Sequence, residues 1–143
     1  MKITESICAR GHENVTSTNK TTFEITRETH LTKRGDCIIA VDANKGATDL
    51  SPEFKRTAKN DHTRIRITIE VGNEVEIVNA CGNPNLTFTD LHDLVIRKSS
   101  YVCGRTLAVL ADKAAKDFSR TFVEKLRNPD QKVNITLRVD NPI

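Results

Sequence analysis

Apolar and polar residues alternate with a period of two along much of the chain, which is the pattern of half-buried strands. Ile65, Ile67, Ile69 and Val71 alternate with Arg64, Arg66, Thr68 and Glu70. Gly72-Asn73 then supplies a two-residue turn, and Val75 and Ile77 begin a return strand. Val133, Ile135, Leu137 and Val139 repeat the alternation near the C-terminus. Ile3, Ile7 and Ala9 define a strand face near the N-terminus, interrupted by Glu5. Val15, Phe23 and Ile25, spaced by threonines, predict strands over 15–27 with a break near Asn19-Lys20. The continuous run Cys37-Ile38-Ile39-Ala40-Val41 predicts a strand buried on both faces, Leu86 and Phe88 a short strand, and Leu94-Val95-Ile96 another.

Two stretches carry helical signals instead. Ser51-Pro52-Glu53 offers a hydroxyl cap followed by a proline where no amide donor is needed, so a short helix is expected over about 52–59. Leu107, Leu110, Ala111, Ala114, Phe118, Phe122 and Leu126 recur at three- and four-residue steps, predicting one long amphipathic helix over 105–126. No internal repeat, linker or low-complexity segment stands out. The expectation is a single domain, 1–143, of α+β class and mainly β. Its strands should form a curved, mostly antiparallel sheet or a small barrel packed against the long C-terminal helix.

Composition narrows the reading. The chain has 143 residues, 37% hydrophobic and 29% charged, a one-domain length and a polar but not disordered balance. A net charge of +3 does not by itself demand nucleic acid or a membrane. With no Trp and one Tyr, stacking platforms for exposed bases are scarce. No run of residues is long and apolar enough for a membrane span, and Met1-Lys2-Ile3-Thr4-Glu5 lacks the apolar core of a signal peptide. The expected location is cytoplasmic, with Cys8, Cys37, Cys81 and Cys103 as reduced thiols.

Candidate chemistry gathers in three segments. Ile96 to Thr106 joins a buried strand to the expected long helix and carries Arg97, Lys98, Ser99, Arg105 and a glycine. Cations, hydroxyls and free amides at a helix start suit a phosphate or carboxylate. Alternatively the arginines pair with acids and the serines cap the helix. Lys20, Thr21 and Thr22 repeat the cation-plus-hydroxyl pairing without the glycine-rich lead of a P-loop, and a solvent-facing threonine strand explains them equally well. Asp36 and Cys37 stand at the mouth of a buried strand, where a thiol could act as nucleophile with His12 as base; an inert core thiol is the plainer reading. Cys8 and His12 lack the paired spacing of a zinc site, so no metal or other cofactor is predicted. Arg64 and Arg66 would extend a basic surface if they lay beside Arg97 and Lys98, whereas Glu70, Glu74 and Glu76 could neutralise them across the hairpin.

Taken together, Gly11-His12, Thr21 to Thr26, Leu31-Thr32, Gly35 to Ile39, Ile96 to Ser99, and Arg105-Thr106-Leu107 running into Ala111 to Ala115 resemble a small family of uncharacterised archaeal proteins, classed as a domain of unknown function. The resemblance covers nearly the whole chain. It implies a compact domain of mixed or mainly β structure, and it implies that the three polar segments belong to the pattern that defines the family, which favours a shared site. It supplies no activity.

The leading expectation is therefore a binding domain for a small anionic or phosphate-bearing ligand, such as a nucleotide or RNA. Arg97, Lys98, Ser99 and Arg105 would hold the anion, with Lys20, Thr21 and Thr22 on the opposite wall. The rival readings are an enzyme using Asp36, Cys37 and His12, and an assembly module whose helix face packs on another subunit.

Overall fold

A computed structural model describes residues 2–141. Eight strands, two short helices and two 3-10 turns follow in the order β1 (Lys2–Arg10), β2 (Thr22–Thr26), β3 (Ile38–Ala40), a 3-10 turn (Ala47–Asp49), α1 (Pro52–Ala58), β4 (Arg64–Val71), β5 (Glu74–Cys81), β6 (Asp93–Arg97), β7 (Thr106–Ala108), a 3-10 turn (Ala115–Asp117), α2 (Arg120–Leu126) and β8 (Lys132–Asp140). The strands form two four-stranded sheets. The large one has the order β1-β8-β4-β5, and the small one β3-β2-β6-β7. All pairs of the large sheet are antiparallel. In the small sheet the central pair β2–β6 is antiparallel, while β3 and β7 join parallel at the edges. Only isolated bridges, Arg10 with Val41 and Cys81 with Val109, link the two sheets, so they do not close into a barrel.

The apolar alternation does what the pattern requires. Ile65, Ile67, Ile69, Ile135, Leu137 and Val139 of the large sheet and Phe23, Ile25, Leu94 and Ile96 of the small one are buried in one cluster with Phe54, Phe122 and Leu126 of the helices. Burial of each such side chain stabilises the fold by about 1.5–3 kcal/mol. All five phenylalanines are fully buried, with Phe23 and Phe118 edge to face at 5.1 Å. Glu5, which seemed to interrupt a strand face, is itself buried. It takes the Lys45 ammonium at 2.9 Å and the Ser51 amide at the start of α1.

The expected long helix over 105–126 does not form. Thr106–Ala108 is a strand, Leu110 takes a left-handed φ of 53°, and residues 115–117 make a 3-10 turn. Only Arg120–Leu126 is α-helical, started by Ser119, whose hydroxyl accepts the Phe122 amide at 3.2 Å. The three- and four-residue apolar spacing came from separate elements that each turn a side chain to the same core. Leu86 and Phe88 likewise lie in a buried connection rather than a strand, with Phe88 at φ 51°, and of 15–27 only Thr22–Thr26 is a strand.

The absence of a repeat was also a misreading. Ala43 to Phe54 and Ala111 to Phe122 share Ala, Lys, Ala, Asp, Ser and Phe at matching positions, and both run through a 3-10 turn into a serine-capped helix. Position-matched hydrogen bonds recur throughout. Asn44 with Cys8 matches Asp112 with Asn79, and Thr48 to Asp90 matches Lys116 to Asn19. Lys45–Glu5 matches Lys113–Glu76. The chain is two copies of one β-β-β-α-β unit, with 4–26 answering to 75–97 and 36–72 to 104–140. The copies exchange their first strands: β1 pairs with β8, and β5 with β4. The pseudo-twofold axis passes between Thr68 and Thr136 in the large sheet and between Glu24 and Val95 in the small one.

Candidate functional site: the outer face of the small sheet

Phe23 and Ile25 turn inward, so Thr22, Glu24 and Thr26 turn outward, together with Asp93, Val95 and Arg97 of β6. The register sets Thr22 opposite Arg97, Glu24 opposite Val95 and Thr26 opposite Asp93. The parallel edges add Cys37 at the approach to β3 on one side, and Cys103 and Arg105 before β7 with Thr106 at its start on the other. Three of the polar segments picked from sequence thus meet on one surface.

Glu24 is the centre of it. The residue is 5% exposed, and its carboxylate lies 3.5 Å from the Arg105 guanidinium. Arg105 also reaches Asp93 at 3.4 Å, and Asp93 accepts the Thr26 hydroxyl at 2.8 Å. Burial, reinforced by the negative charges of Asp93 and Asp90, pushes the Glu24 carboxyl up to about 7, although Arg105 and Arg97 oppose the shift. Next to it, burial and the Glu24 charge push the Cys37 thiol up, so it stays protonated.

Arg97 runs across the other edge. Its Nε donates to the Thr106 hydroxyl at 2.9 Å, its Nη2 to the Cys103 sulfur at 3.3 Å, and its guanidinium stacks 4.9 Å from the Tyr101 ring centroid. Burial alone would raise the Cys103 thiol. The Arg105 amide, the Thr106 hydroxyl and Arg97 outweigh it and hold the thiol below its ordinary value. Sequence reading singled out Cys37 as the reactive candidate, but the lowered thiol is Cys103. Its signal was the arginine six residues earlier on the same face.

The Lys98 ammonium reaches Asp117 at 2.7 Å, away from Glu24. The Ser99 hydroxyl accepts the Tyr101 amide in a turn. Lys20 and Thr21 are exposed on the connection before β2, where the Asn19 side chain accepts the amides of Thr21 and Thr22 and donates to Asp36. His12 lies elsewhere, with its amide donating to Leu126 at the end of α2 and its Nδ1 accepting the Asn14 amide. Arg64 and Arg66 belong to the large sheet, so they do not extend this face. In sequence Glu24 stands with Thr26 beside Lys20, Thr21 and Thr22 as one polar position of a threonine-rich strand, with nothing to mark it as the centre of a site. Among the described residues, no group of three or more His, Cys, Asp or Glu side chains could hold a metal ion, and no helix is long and apolar enough to cross a membrane.

Fold and face together define a β-rich α+β protein of two unclosed sheets, duplicated internally, with an ionisable centre on one outer surface. The family model described as a domain of unknown function, DUF371, matches residues 7–140, and the chain belongs to that family. It is also similar to an uncharacterised archaeal protein, MJ0206 of Methanocaldococcus jannaschii, with 46% identity over 121 residues that cover 85% of this chain and 89% of that one.

Proposed function

We propose that the chain acts as a single domain that binds a small anionic or phosphate-bearing ligand, a nucleotide or the phosphate of an RNA, on the outer face of the small sheet. The observation that carries this is the position of Arg105. Its side chain is 45% exposed and is shared at 3.4–3.5 Å between Asp93 and Glu24, and Glu24 carries a proton for part of the time near neutrality. A guanidinium so held can exchange a weak internal partner for a ligand oxygen. Arg97 flanks the same surface with its guanidinium bonded on one side to Thr106 and Cys103. Thr22 stands opposite it in register, and Lys20, Thr21, Lys98 and Ser99 form the exposed surround.

The first measurement is native mass spectrometry of the purified protein together with its ultraviolet spectrum. A chain with no Trp and one Tyr absorbs little of its own, so a carried nucleotide stands out. Adenosine monophosphate is then titrated by NMR. Shifts centred on Thr22, Glu24, Cys103 and Arg105 are expected. The double variant Arg97→Gln, Arg105→Gln should lose affinity by about tenfold or more, roughly one charge-assisted hydrogen bond, while keeping its folded spectrum. Unchanged affinity overturns the reading. Unfolding of the variant does so as well, because it makes the arginines structural.

A further inference from the structure

We propose a second ligand site, on the outer face of the large sheet, that takes a phosphate monoester with an apolar body. Arg66 of β4 stands directly opposite Arg138 of β8, and Arg64 lies in the next row. Like charges facing each other across two strands destabilise a sheet. Asp140, opposite Arg64, is the one acid lining the group, and among the described residues none of these guanidinium groups has an ion-pair or hydrogen-bond partner. The three line a hollow of about 370 Å³ together with Asn79, Leu110 and Asp140. That volume is in the range of small-molecule sites. Three arginines and one aspartate leave a charge of about two positive, which the dianion of a phosphate monoester neutralises.

The duplication provides an internal control. At the other end of the same face the matching positions hold Lys132 for Arg64, Asn134 for Arg66, Glu70 for Arg138 and Asp42 for Leu110. There Asp42 pairs with Arg10 at 3.6 Å, and charge is balanced. The backbone is the same, so the fold does not require the arginines. Leu110 adds an independent sign. It is 57% exposed and held at φ 53°, where its counterpart is an aspartate at φ 54°. Strain of this kind on an exposed leucine is unfavourable twice over, and it puts an apolar wall beside the guanidinium groups. Ile77, 43% exposed in the row next to Arg66 and Asn79, extends that wall.

The test titrates the full chain with phenyl phosphate, followed by NMR, with benzoate and inorganic phosphate as comparisons. Phenyl phosphate should saturate and shift residues 64–66, 79–81, 110 and 138–140, more tightly than either comparison. Arg66→Gln should weaken it by about tenfold or more, again roughly one charge-assisted hydrogen bond. The same variant should melt at a higher temperature than the parent, because the facing like charges are gone. Lys132→Gln, at the position of the other copy that matches Arg64, should leave the titration unchanged. No saturation up to about 10 mM, near the weakest affinity worth calling specific, overturns the site. So do shifts spread over the whole basic surface, or equal losses in the Arg66 and Lys132 variants.

Discussion

Glu24 makes the small-sheet face respond to pH. Its carboxyl is pushed up from 4.5 to about 7 by burial and by Asp93 and Asp90, against Arg105 and Arg97; Cys37, the other group packed beside it, stays protonated over that range. The folded protein therefore holds the Glu24 proton more tightly than the unfolded chain does. Its contribution to stability is complete at acid pH and is lost as pH rises from about 4.5 through 7, a swing of up to about 3 kcal/mol. Glu5 and Asp117 act in the opposite sense. Burial would raise Glu5, but Lys45 and Ser51 lower it below its ordinary range, and Lys98 with the Ala114 amide does the same for Asp117; these contributions fade as pH falls below the carboxylate range. Glu24→Gln keeps the shape and removes the trapped charge, while Asp93 retains Arg105. Denaturant melts at pH 8 should show the variant more stable by about 1–3 kcal/mol, with the gap closing at pH 5. A gap that stays constant with pH would show that the carboxyl is not perturbed.

At the scale of elements, the C-terminal end of each helix is met by the glycine that follows the first strand of a copy, Gly11 after β1 and Gly82 after β5. A methyl group on Gly11 would sit 2.3 Å from the carbonyl oxygens of Leu126 and Asn128, and one on Gly82 would sit 2.1 Å from that of Ala58. The amides next to these glycines donate to the same helix ends, His12 to Leu126 and Asn83 to Ala58. Gly82→Ala should therefore cost about 1–3 kcal/mol, the range of an overpacked core position, in calorimetric or denaturant unfolding. A loss under about 0.5 kcal/mol, typical of a surface change, would show that the junction yields. The strands of these elements were legible in sequence because a period of two has one physical cause. The hairpin 64–81, the strand through 133–139 and the helix after Ser51 all stand where the alternation and the cap put them. The region 105–126 was not legible by periodicity, because Leu107, Ala114, Phe118 and Phe122 reach one core from a strand, a cap, a turn and a helix in succession. The cap at Ser119 was a local signal of the same kind as Ser51. Alignment of the two stretches would have transferred the correct reading from one to the other.

For the whole molecule, duplication explains both the symmetry and its breaks. Left-handed backbone recurs at Ser17 and Phe88, and again at Asp42 and Leu110. That recurrence marks a shared ancestral bend rather than four separate adaptations. Function is expected where the copies differ. On the small sheet, Glu24 faces Val95 across the axis, and Cys37 answers to Arg105. On the large sheet, the unpaired arginines Arg64, Arg66 and Arg138 occupy one end, and Arg10 at the other is paired with Asp42. Neither feature is visible in a sequence read from left to right, since each depends on strands about 70 residues apart brought side by side. The sequence did contain the three polar segments, and two strands in register were enough to bring Thr22 and Arg97 together.

The exchange of first strands between the copies also constrains the order in which the molecule can be made. Among the described residues β1 has β8 as its one neighbour in the sheet, so a strand early in this sequence waits for one made far later. Closing so long a loop is entropically unfavourable until the β4–β8 centre exists to receive it. Pulse-labelled hydrogen exchange during refolding should therefore protect the amides of Ile7 and Ile135 in one phase, with the β4–β5 hairpin protected no later. Early protection of Ile7 alone would contradict this order. Until β8 is made, the growing chain carries the apolar face of Ile3, Ile7 and Ala9 without the strand it pairs with in the finished sheet.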